Sequence, residues 1–208
     1  AMSSTPVYSS FDLGCGSGFL LAYLLKSGFA QAIGVDSSKE QAEYSKSNGL
    51  PVRHGDAIEF IKTTGPYDAI IATDFIEHLT KDEIVVFLEA ALGALDPGGK
   101  IILSTPNISS LFGPSARYFD FTHEVAFTEN SLRQVLISCG FHDVIIRDNR
   151  IPFGFRPKRL LRWALYNLQH LFLRIVFSIE VGEDRPRLLG KLLFAVASKR
   201  RPAHTTSA

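Results

Sequence analysis

The sequence predicts an α/β fold in which a largely parallel sheet is covered by helices on both faces. Short apolar runs alternate along the chain with segments whose apolar residues recur every three or four positions, as in amphipathic helices. Residues 67–73 form an almost unbroken apolar run, which is typical of a strand that is buried on both faces. Together these patterns favour strands joined by crossover helices.

Turn and capping signals bound the elements of the first half. Gly28 is placed to end the first helix, and Ser37 with Glu40 predicts a capping box that opens the second. Thr80 and Glu83 predict another capping box. The predicted elements are strands at about 7–13, 31–35 (ending at Asp36), 51–54 and 67–73, and helices at about 17–26, from 37 onward, and 80–95.

The second half continues the pattern and then departs from it. Residues 96–99 (Asp-Pro-Gly-Gly) predict a turn, followed by a strand at 100–104, a helix at 128–138 and strands at 141–147 and 192–198. The last two strands lack a regular crossover, and a hairpin-like return would make the final strand antiparallel. We therefore predict one domain over residues 1–208, with a helical insertion at about 151–187.

Composition narrows the class of protein. The chain has 208 residues, 46% of them hydrophobic and 21% charged, with a net charge of +1. These values are typical of an ordinary globular protein and give no case for a nucleic-acid partner. Cys15 and Cys139 lack metal-ligand or redox spacing, and no basic-then-apolar leader opens the chain. We therefore predict a cytoplasmic location.

The most informative segment is residues 12–18, Asp-Leu-Gly-Cys-Gly-Ser-Gly. Alternating glycines let a strand turn sharply into a helix, with no Cβ to keep a ligand away from the backbone. The third glycine comes one residue too early for the dinucleotide pattern G-x-G-x-x-G, and the carboxylate of Asp12 would repel a pyrophosphate. The same carboxylate can hold an ammonium group, so the turn predicts a nucleoside joined to an amino acid.

The pattern D-x-G-x-G-x-G resembles motif I of the class I S-adenosylmethionine-dependent methyltransferases. Residues 73–78 (Thr-Asp-Phe-Ile-Glu-His), 95–100 and 104–107 (Ser-Thr-Pro-Asn) are similar to the branch that includes the ubiquinone-biosynthesis O-methyltransferases, and the similarity spans about residues 11–150. The resemblance implies a three-layer, Rossmann-like sheet of seven strands with the last antiparallel. It also implies S-adenosyl-L-methionine as the cofactor.

The resemblance implies a role for several strand-end residues. Asp36 would accept hydrogen bonds from the ribose, Asp56 and Ala57 would lie beside the adenine, and the stretch after strand four would cover the sulfonium. Asp36 as a helix N-terminal acid and Asp56 as a plain turn residue are the structural alternatives. The predicted cofactor-binding residues are Asp12, Gly14, Cys15, Gly16, Gly18, Asp36, Ser37, Asp56, Ala57, Thr73 and Asp74.

The family usually has one or two helices before the first strand that close over the cofactor, but only about ten residues precede Asp12. Either the leading segment is missing from this sequence or another segment acts as the lid.

Methyl transfer to a hydroxyl needs a group that removes the proton, and a neutral histidine suits a phenol-like acceptor. His123 and His78 follow predicted strands and are the candidate general bases; a surface or packing role is the alternative for each. Asp74, Glu77 and these histidines could gather a divalent ion, but no ligand spacing supports that. We therefore predict no metal site.

The insertion contains an apolar segment with basic residues at its start, about 156–179. Its polar interruptions leave it short of the ~20 apolar residues that a membrane span needs, so it resembles an interfacial helix that anionic lipid would attract. Packing on its own domain or on a second subunit is the alternative. A membrane location would favour a lipid-linked or apolar acceptor over other small molecules.

Two rival functions share parts of these patterns. An NAD-linked oxidoreductase would also have a strand, a glycine turn and an acid such as Asp36, but the shifted third glycine disfavours it. A non-catalytic, methyltransferase-shaped binding module is the other rival. The leading hypothesis is a methyltransferase that acts on a hydroxylated acceptor.

Overall fold

The structure, a computed structural model, describes residues 8–150 and 152–202. Its centre is a seven-stranded sheet in the order β3-β2-β1-β4-β5-β7-β6. β7 pairs antiparallel with β5 and β6, and the remaining pairs are parallel, so the predicted sheet with one antiparallel last strand is confirmed. The strands are β1 Ser9–Leu13, β2 Gln31–Asp36, β3 Val52–His54, β4 Tyr67–Thr73, β5 Leu95–Pro106, β6 His142–Asp148 and β7 Leu192–Ser198. Residue 7, the predicted start of β1, lies outside the described residues.

Helices cover both faces of this sheet. Successive strand residues point to opposite faces, so Ile70 joins one buried cluster and Ile71 the other. The first cluster includes residues of α3, α4 and α6, and the second includes residues of α1 and α2, which makes the predicted three layers. The helices are α1 Phe19–Lys26, α2 Lys39–Ser47, α3 Ala57–Thr63, α4 Lys81–Ala94, α5 Gly113–Phe119, α6 Glu129–Ser138 and α7 Pro157–Glu180.

One predicted helix cap is confirmed and one is wrong by a residue. Thr80 and Glu83 form a capping box at the start of α4, with the Thr80 backbone N–H donating to the Glu83 carboxylate over 2.9 Å. At α2 the cap is Ser38, whose hydroxyl accepts from the backbone N–H of Gln41, and not Ser37. The chain stays extended for longer after β2 than the sequence pattern indicated, because Asp36 accepts a hydrogen bond from the Ser38 backbone.

The predicted turn at 96–99 lies within β5 as a bulge: Gly98 has a φ of 87°, and Tyr67 of β4 pairs with Leu95 whereas Ala69 pairs with Lys100. The backbone N–H of Gly98 donates to the carbonyl of Lys199, and the Lys199 N–H donates to the carbonyl of Gly99. Pairing with the chain just beyond β7 therefore keeps this Asp-Pro-Gly-Gly bulge in the sheet. Two helices were not predicted, α3 and α5; α3 begins after Asp56, whose carboxylate caps it.

The strand order reverses between β1 and β4, which lie side by side. At such a switch point the loops after the two strands diverge and leave a crevice beyond their carboxyl ends, where ligands bind in open α/β sheets. The glycine turn follows β1, and residues 74–78 follow β4. The fold thus brings together at this edge the two segments that the sequence singled out.

Candidate functional site

The three glycines of the turn differ in what surrounds them. All have positive φ values of 63°, 52° and 78° for Gly14, Gly16 and Gly18. A Cβ on Gly14 would lie 3.1 Å from the ring of Phe75, and one on Gly18 would overlap the side chain of Leu50, whereas a Cβ on Gly16 meets no described heavy atom within 4 Å. Gly14 and Gly18 therefore make room for the protein's own packing. Only Gly16 faces open space, where a ligand could approach.

Asp36 fixes the position of this turn. Its Oδ2 accepts from the backbone N–H of Gly16 over 2.7 Å, and its Oδ1 accepts from the N–H of Ser38 over 2.8 Å. The side chain is nearly buried, so the link between the turn and the end of β2 is well shielded from water. Each carboxylate oxygen can accept a second hydrogen bond, so a ribose role remains compatible with this structural role.

Asp12 has an uncompensated carboxylate. It is 1% exposed, and neither carboxylate oxygen has a hydrogen-bond partner among the described residues. Burial, and next the nearby charge of Asp36, raises the pKa of Asp12 to about 7. A buried carboxylate is costly to ionise unless a cation or donor joins it. The site therefore favours a ligand that brings a positive group to this position.

Other features fit an amino-acid ligand at the same place. Helix α1 begins at the turn, its N-cap Gly18 provides no side-chain cap, and its first turn has no acidic residue. Free N–H groups at a helix N-terminus attract a carboxylate. Asp12, Gly16 and the start of α1 thus offer partners for an ammonium group and a carboxylate, which fits the amino-acid part of S-adenosylmethionine.

Cys15 lies within the turn but its side chain belongs to the core. Its Sγ packs against Gly34 of β2, where a Cβ would lie 2.8 Å from the sulfur. Burial raises the pKa of the thiol to about 12, so it stays protonated and unreactive. A contact between Cys15 and a ligand would have to use its backbone.

The other predicted cofactor-binding residues differ in their exposure and in their hydrogen bonds. Asp56 is exposed, and its Oδ1 accepts from the backbone N–H of Glu59 as the cap of α3, while Ala57 is buried. Ser37 is exposed and its carbonyl accepts from His54. Thr73 ends β4 and pairs with Ser104. These residues lie at the expected strand ends, and their contacts with a cofactor stay predictions.

Asp74 follows β4 in an unusual conformation. Its φ is 49°, in the left-handed region that few non-glycine residues adopt. Two hydrogen bonds hold it there: its backbone N–H donates to the Ser104 carbonyl, and its Oδ1 accepts from the Ser104 hydroxyl. Such a conformation, maintained by tertiary contacts, is common at functional sites.

A cavity of about 520 Å³ opens beside these residues, between the end of β4 and helix α5. Its polar wall includes Asp74, Glu77, His78 and His123. Its apolar wall includes Phe112 and Phe119, which are 68% and 91% exposed. The sequence reading missed α5 and these aromatic residues, since a seven-residue helix with no apolar periodicity has little pattern to detect.

The structure brings the two candidate bases together. The rings of His78 and His123 lie edge to face with centroids 4.8 Å apart, although 45 positions separate them in the chain. Beside them, Glu77 is 2% exposed, and burial raises the pKa of its carboxyl group to about 7. The backbone N–H groups of Glu124 and Val125 both donate to the Glu77 carbonyl and join the loop that bears His123 to the end of β4.

Part of the chain matches known methyltransferases in sequence. Residues 11–99 match the family model described as a methyltransferase domain. A ubiquinone biosynthesis O-methyltransferase from Rickettsia prowazekii is 33% identical over 101 residues, which are 46% of this chain and 39% of that protein. A ribosomal protein L11 methyltransferase from Xylella fastidiosa is 31% identical over 97 residues, 45% of this chain and 30% of that protein. The aligned stretch thus spans well under half of either relative.

The fold is matched over more of the chain. The crystal structure of a SAM-dependent methyltransferase from Archaeoglobus fulgidus superposes with a TM-score of 0.67 at 24% identity, covering 92% of this chain and 86% of that one. This likeness establishes the fold. The predicted class I methyltransferase fold, with its resemblance to the ubiquinone-type O-methyltransferases, is therefore confirmed.

Proposed function

We propose, from the class I methyltransferase fold of this chain and the methyltransferase-domain match of residues 11–99, that the protein binds S-adenosyl-L-methionine and methylates a hydroxylated acceptor. The observation that carries the proposal is the buried carboxylate of Asp12, which lacks a partner beside the open side of Gly16. A ligand with an ammonium group would relieve the cost of that burial.

Each end of the cofactor has candidate partners in the chain. Asp12 would accept from the ammonium group, the start of α1 would bind the carboxylate, and Asp36 would accept from the ribose. Asp56 and Ala57 are the candidates beside the adenine. When bound, S-adenosylmethionine supplies an activated methyl group on its sulfonium. The chain then has two remaining tasks, which are to align the acceptor and to handle its proton.

The cavity beside β4 is the candidate acceptor site. His123 and His78 line it, and we propose that one of them takes the proton of a hydroxyl group as a general base. A phenol-like hydroxyl has a pKa near ~10 and gives up its proton to a neutral imidazole more readily than a sugar hydroxyl does. The exposed aromatic rings at the cavity mouth favour an apolar or aromatic acceptor.

The acceptor's identity does not transfer from the relatives. One relative is named for ubiquinone biosynthesis and another for a ribosomal protein, and each match covers less than half of this chain. Residues 11–99, which match the methyltransferase-domain model, contain the glycine turn and the end of β4, while α5 and α7 lie beyond them. The support for a small or lipid-linked acceptor comes from this chain's own apolar surfaces.

Helix α7 supports a membrane-facing role. No residue of this 24-residue helix is buried, and its outer face carries an apolar stripe spaced by four and three residues. We define the outer stripe of α7 as Leu161, Leu165, Leu168, Phe172, Ile175 and Ile179. Residues 156–179 include basic side chains and no acidic ones. An apolar stripe flanked by cations suits an anionic lipid surface.

This membrane surface would be peripheral. No helix in the described ranges has both the length and the apolar character needed to cross a bilayer. A second copy of the chain is the other surface that could cover the outer stripe of α7. The basic residues favour lipid, because two copies would bring like charges together.

The rival functions predict different ligands. An NAD-linked oxidoreductase would place a pyrophosphate over the turn, close to the buried carboxylate of Asp12, which would repel it. A non-catalytic module would bind the cofactor and transfer nothing. Calorimetric titration with adenosylhomocysteine and with NADH distinguishes the methyltransferase from the oxidoreductase. A product assay distinguishes the methyltransferase from the non-catalytic module.

The product assay uses cofactor with a deuterated methyl group and a metabolite and lipid extract, followed by mass spectrometry. We expect a labelled product with one deuterated methyl group, absent from reactions with a Gly16→Val variant. Binding of NADH without adenosylhomocysteine would overturn the proposal. Cofactor binding with no labelled product from any extract would favour the non-catalytic module.

A further inference from the structure

A second cavity, of about 210 Å³, lies between the end of β6 and helix α7. Its basic residues are Arg150, which follows β6, and Arg174 of α7. His170, one helical turn before Arg174, lines it as well. We call this space the cationic cavity. Its lining residues differ from those of the candidate acceptor site beside β4, which we call the acceptor cavity.

The positive charges of the cationic cavity are only partly compensated. Arg174 has no carboxylate within salt-bridge distance among the described residues. Arg150 contacts Asp148 through Nε over 3.6 Å, which leaves the terminal nitrogens of its guanidinium group available. The Oδ2 atom of Asp148 accepts from the backbone N–H groups of Leu189 and Gly190, so the chain itself stabilises this carboxylate. The cavity therefore retains donors for an anion.

His170 adds a polar atom without a partner to the wall of this cavity. Its Nδ1 lies 2.9 Å from the carbonyl oxygen of Tyr166, which can only accept, so Nδ1 carries a proton. Its Nε2 is buried and has no hydrogen-bond partner among the residues that the structure describes. A bound dianion favours the imidazolium form, in which Nε2 also donates. An anionic ligand would thus give this atom its missing partner.

The donors of the cationic cavity suit a phosphoryl group better than a carboxylate. Each guanidinium group can donate to two oxygens of one anion through parallel N–H groups. A terminal phosphoryl group has three acceptor oxygens, which several donors can share, whereas a carboxylate has two. The cavity also has room for such a group, because a water molecule takes up only about 30 Å³ of the liquid.

Asn149 connects the cationic cavity with the acceptor cavity. Its Oδ1 accepts from the backbone N–H of Leu192 over 2.8 Å, and Leu192 lines the acceptor cavity. Its carbonyl accepts from the hydroxyl of Tyr166 over 3.2 Å, and Tyr166 lines the cationic cavity. Each cavity therefore has a wall within one hydrogen bond of the same residue.

The sheet sets the separation of the two cavities. The strands from one to the other are neighbours in the order β4-β5-β7-β6. Because β7 is antiparallel to β5 and β6, its first residues lie at the same edge as the ends of the other three strands. Adjacent strands are ~4.8 Å apart, so the ends of β4 and β6 are separated by roughly 14 Å. One acceptor molecule of that length can reach both cavities.

We propose that the acceptor carries a phosphoryl group, which Arg150, His170 and Arg174 bind in the cationic cavity. This inference rests on the proposed methyltransferase function, since it concerns the acceptor of that reaction. The phosphoryl group takes no part in the chemical step. Its binding holds the acceptor so that the hydroxyl group lies in the acceptor cavity, where the methyl group is transferred.

A phosphoryl group can belong to a soluble phosphate ester or to a phosphate-linked lipid. The cationic cavity would recognise the same chemistry in both. A lipid-linked acceptor would in addition bring the outer stripe of α7 to the bilayer that contains it. Separation of the product into an organic and an aqueous phase distinguishes the two sources.

The first test is calorimetric titration of the full chain with inorganic pyrophosphate. We expect one site per chain. Arg150→Gln and Arg174→Gln should each weaken binding by ~10-fold, because each removes a charge-assisted hydrogen bond. Arg162→Gln is the matched control, since it removes the same charge from α7 at a residue that does not line the cationic cavity. It should bind pyrophosphate as the unchanged chain does.

Adenosylhomocysteine binding should be the same in the three variants as in the unchanged chain. This second titration shows that the variants are folded, and that any loss of pyrophosphate binding is confined to the cationic cavity.

The second test uses the product assay with the deuterated cofactor. We expect the labelled product to release phosphate ions when it is fragmented in the mass spectrometer, and phosphatase treatment of the extract beforehand to abolish it. With the isolated acceptor, Arg150→Gln and Arg174→Gln should each raise KM by ~10-fold and leave kcat within about twofold. This division is expected when a variant loses binding energy remote from the reacting atoms.

The outcomes separate this inference from the proposed function. A labelled product without phosphorus would overturn the inference and leave the methyltransferase proposal standing. Absence of pyrophosphate binding, or binding that Arg150→Gln and Arg174→Gln leave intact, would overturn it as well. A phosphate-free product together with competition for pyrophosphate by anionic phospholipid vesicles would assign the cavity to membrane headgroups. A chain that binds no adenosylhomocysteine would contradict the methyltransferase proposal, whereas the pyrophosphate titration needs no cofactor and tests the cationic cavity by itself.

Discussion

The carboxyl edge of the sheet and helix α7 differ in which kind of side chain each one buries or exposes. At the edge, polar atoms of Asp12 and Glu77 are buried without hydrogen-bond partners among the described residues. On α7, large apolar side chains are exposed, with Leu168 and Phe172 each 63% exposed. Each region therefore has groups in an unfavourable environment. At the edge they are buried carboxylates, and on α7 they are exposed apolar side chains.

The difference indicates how specific each partner is. A buried carboxylate must be matched by a donor or cation at one position, so the edge selects a ligand by geometry and charge. An exposed apolar stripe gains free energy from any apolar surface, roughly in proportion to the area covered. The edge is therefore suited to defined small ligands, and α7 to an extended surface.

The largest effect is expected from closing the open side of the glycine turn. Gly16→Val should weaken adenosylhomocysteine binding by at least ~100-fold, since the added carbons occupy the space where the ligand would lie. Gly28→Val is a matched control: Gly28 also has positive φ, and no described heavy atom lies within 4 Å of a Cβ placed there. Calorimetric titration measures the affinity.

Both glycine variants should lose on the order of 2 kcal/mol of stability, because each forces a β-branched residue into the left-handed region. Equal losses of affinity in the two variants would mean that strain explains the effect. In that case the open side of Gly16 would not be the ligand site.

The next largest effect concerns Asp12. Asp12→Asn should weaken adenosylhomocysteine binding by ~10- to 100-fold, because a charge-assisted hydrogen bond to the ammonium group is lost. The same variant should be more stable than the unchanged protein at pH 8, by on the order of 2 kcal/mol, since an unpaired buried charge is removed. Chemical denaturation at several pH values measures the free energy of unfolding.

The sign of the pH dependence follows from the raised pKa. Asp12 has a pKa of about 7 in the folded chain, above its ordinary value of 3.8, so the folded state holds the proton more tightly. The contribution of Asp12 to the free energy of unfolding should therefore be fully present below pH 4 and be lost as the pH rises from 4 to 7. Asp12→Asn should remove the Asp12 part of this slope and leave the part due to Glu77, whose pKa burial also raises to about 7, whereas Asp82→Asn, at an exposed position, should keep both. A slope that Asp12→Asn leaves unchanged would contradict the assignment.

The smallest effect is expected on α7. Replacing Leu168 and Phe172 together by Glu should reduce flotation with anionic vesicles by about tenfold, because apolar contact is lost and negative charge is added. Stability should change by less than about 0.5 kcal/mol, since both side chains are already exposed. The matched control adds the same charge at Ala164 and Asn167, which lie beside the outer stripe of α7.

Light scattering distinguishes the two surfaces that could cover this stripe. A chain that is monomeric and floats with anionic but not neutral vesicles agrees with the membrane proposal. A dimer that the Leu168 and Phe172 double variant converts to monomers, with no flotation by the unchanged chain, would assign the stripe to a second copy. Flotation that persists after removal of residues 156–179 would also contradict the membrane proposal.

The sequence by itself determined features that depend on local patterns. The seven strands, the glycine turn and the Thr80 capping box follow from periodicity and from residues a few positions apart. The resemblance over about residues 11–150, of which residues 11–99 match the family model, has the same origin, since its main motif is one short turn. A single domain over residues 1–208 stays a prediction.

Tertiary structure alone decided what lies around each of these residues. It showed that Gly14 and Gly18 serve packing while Gly16 is open, and it placed His123 beside Glu77 and His78. It also placed the α2 cap at Ser38 and made residues 96–99 a bulge within β5. The physical reason is that such features depend on contacts between segments far apart in the chain, and those contacts form only when the sheet is assembled.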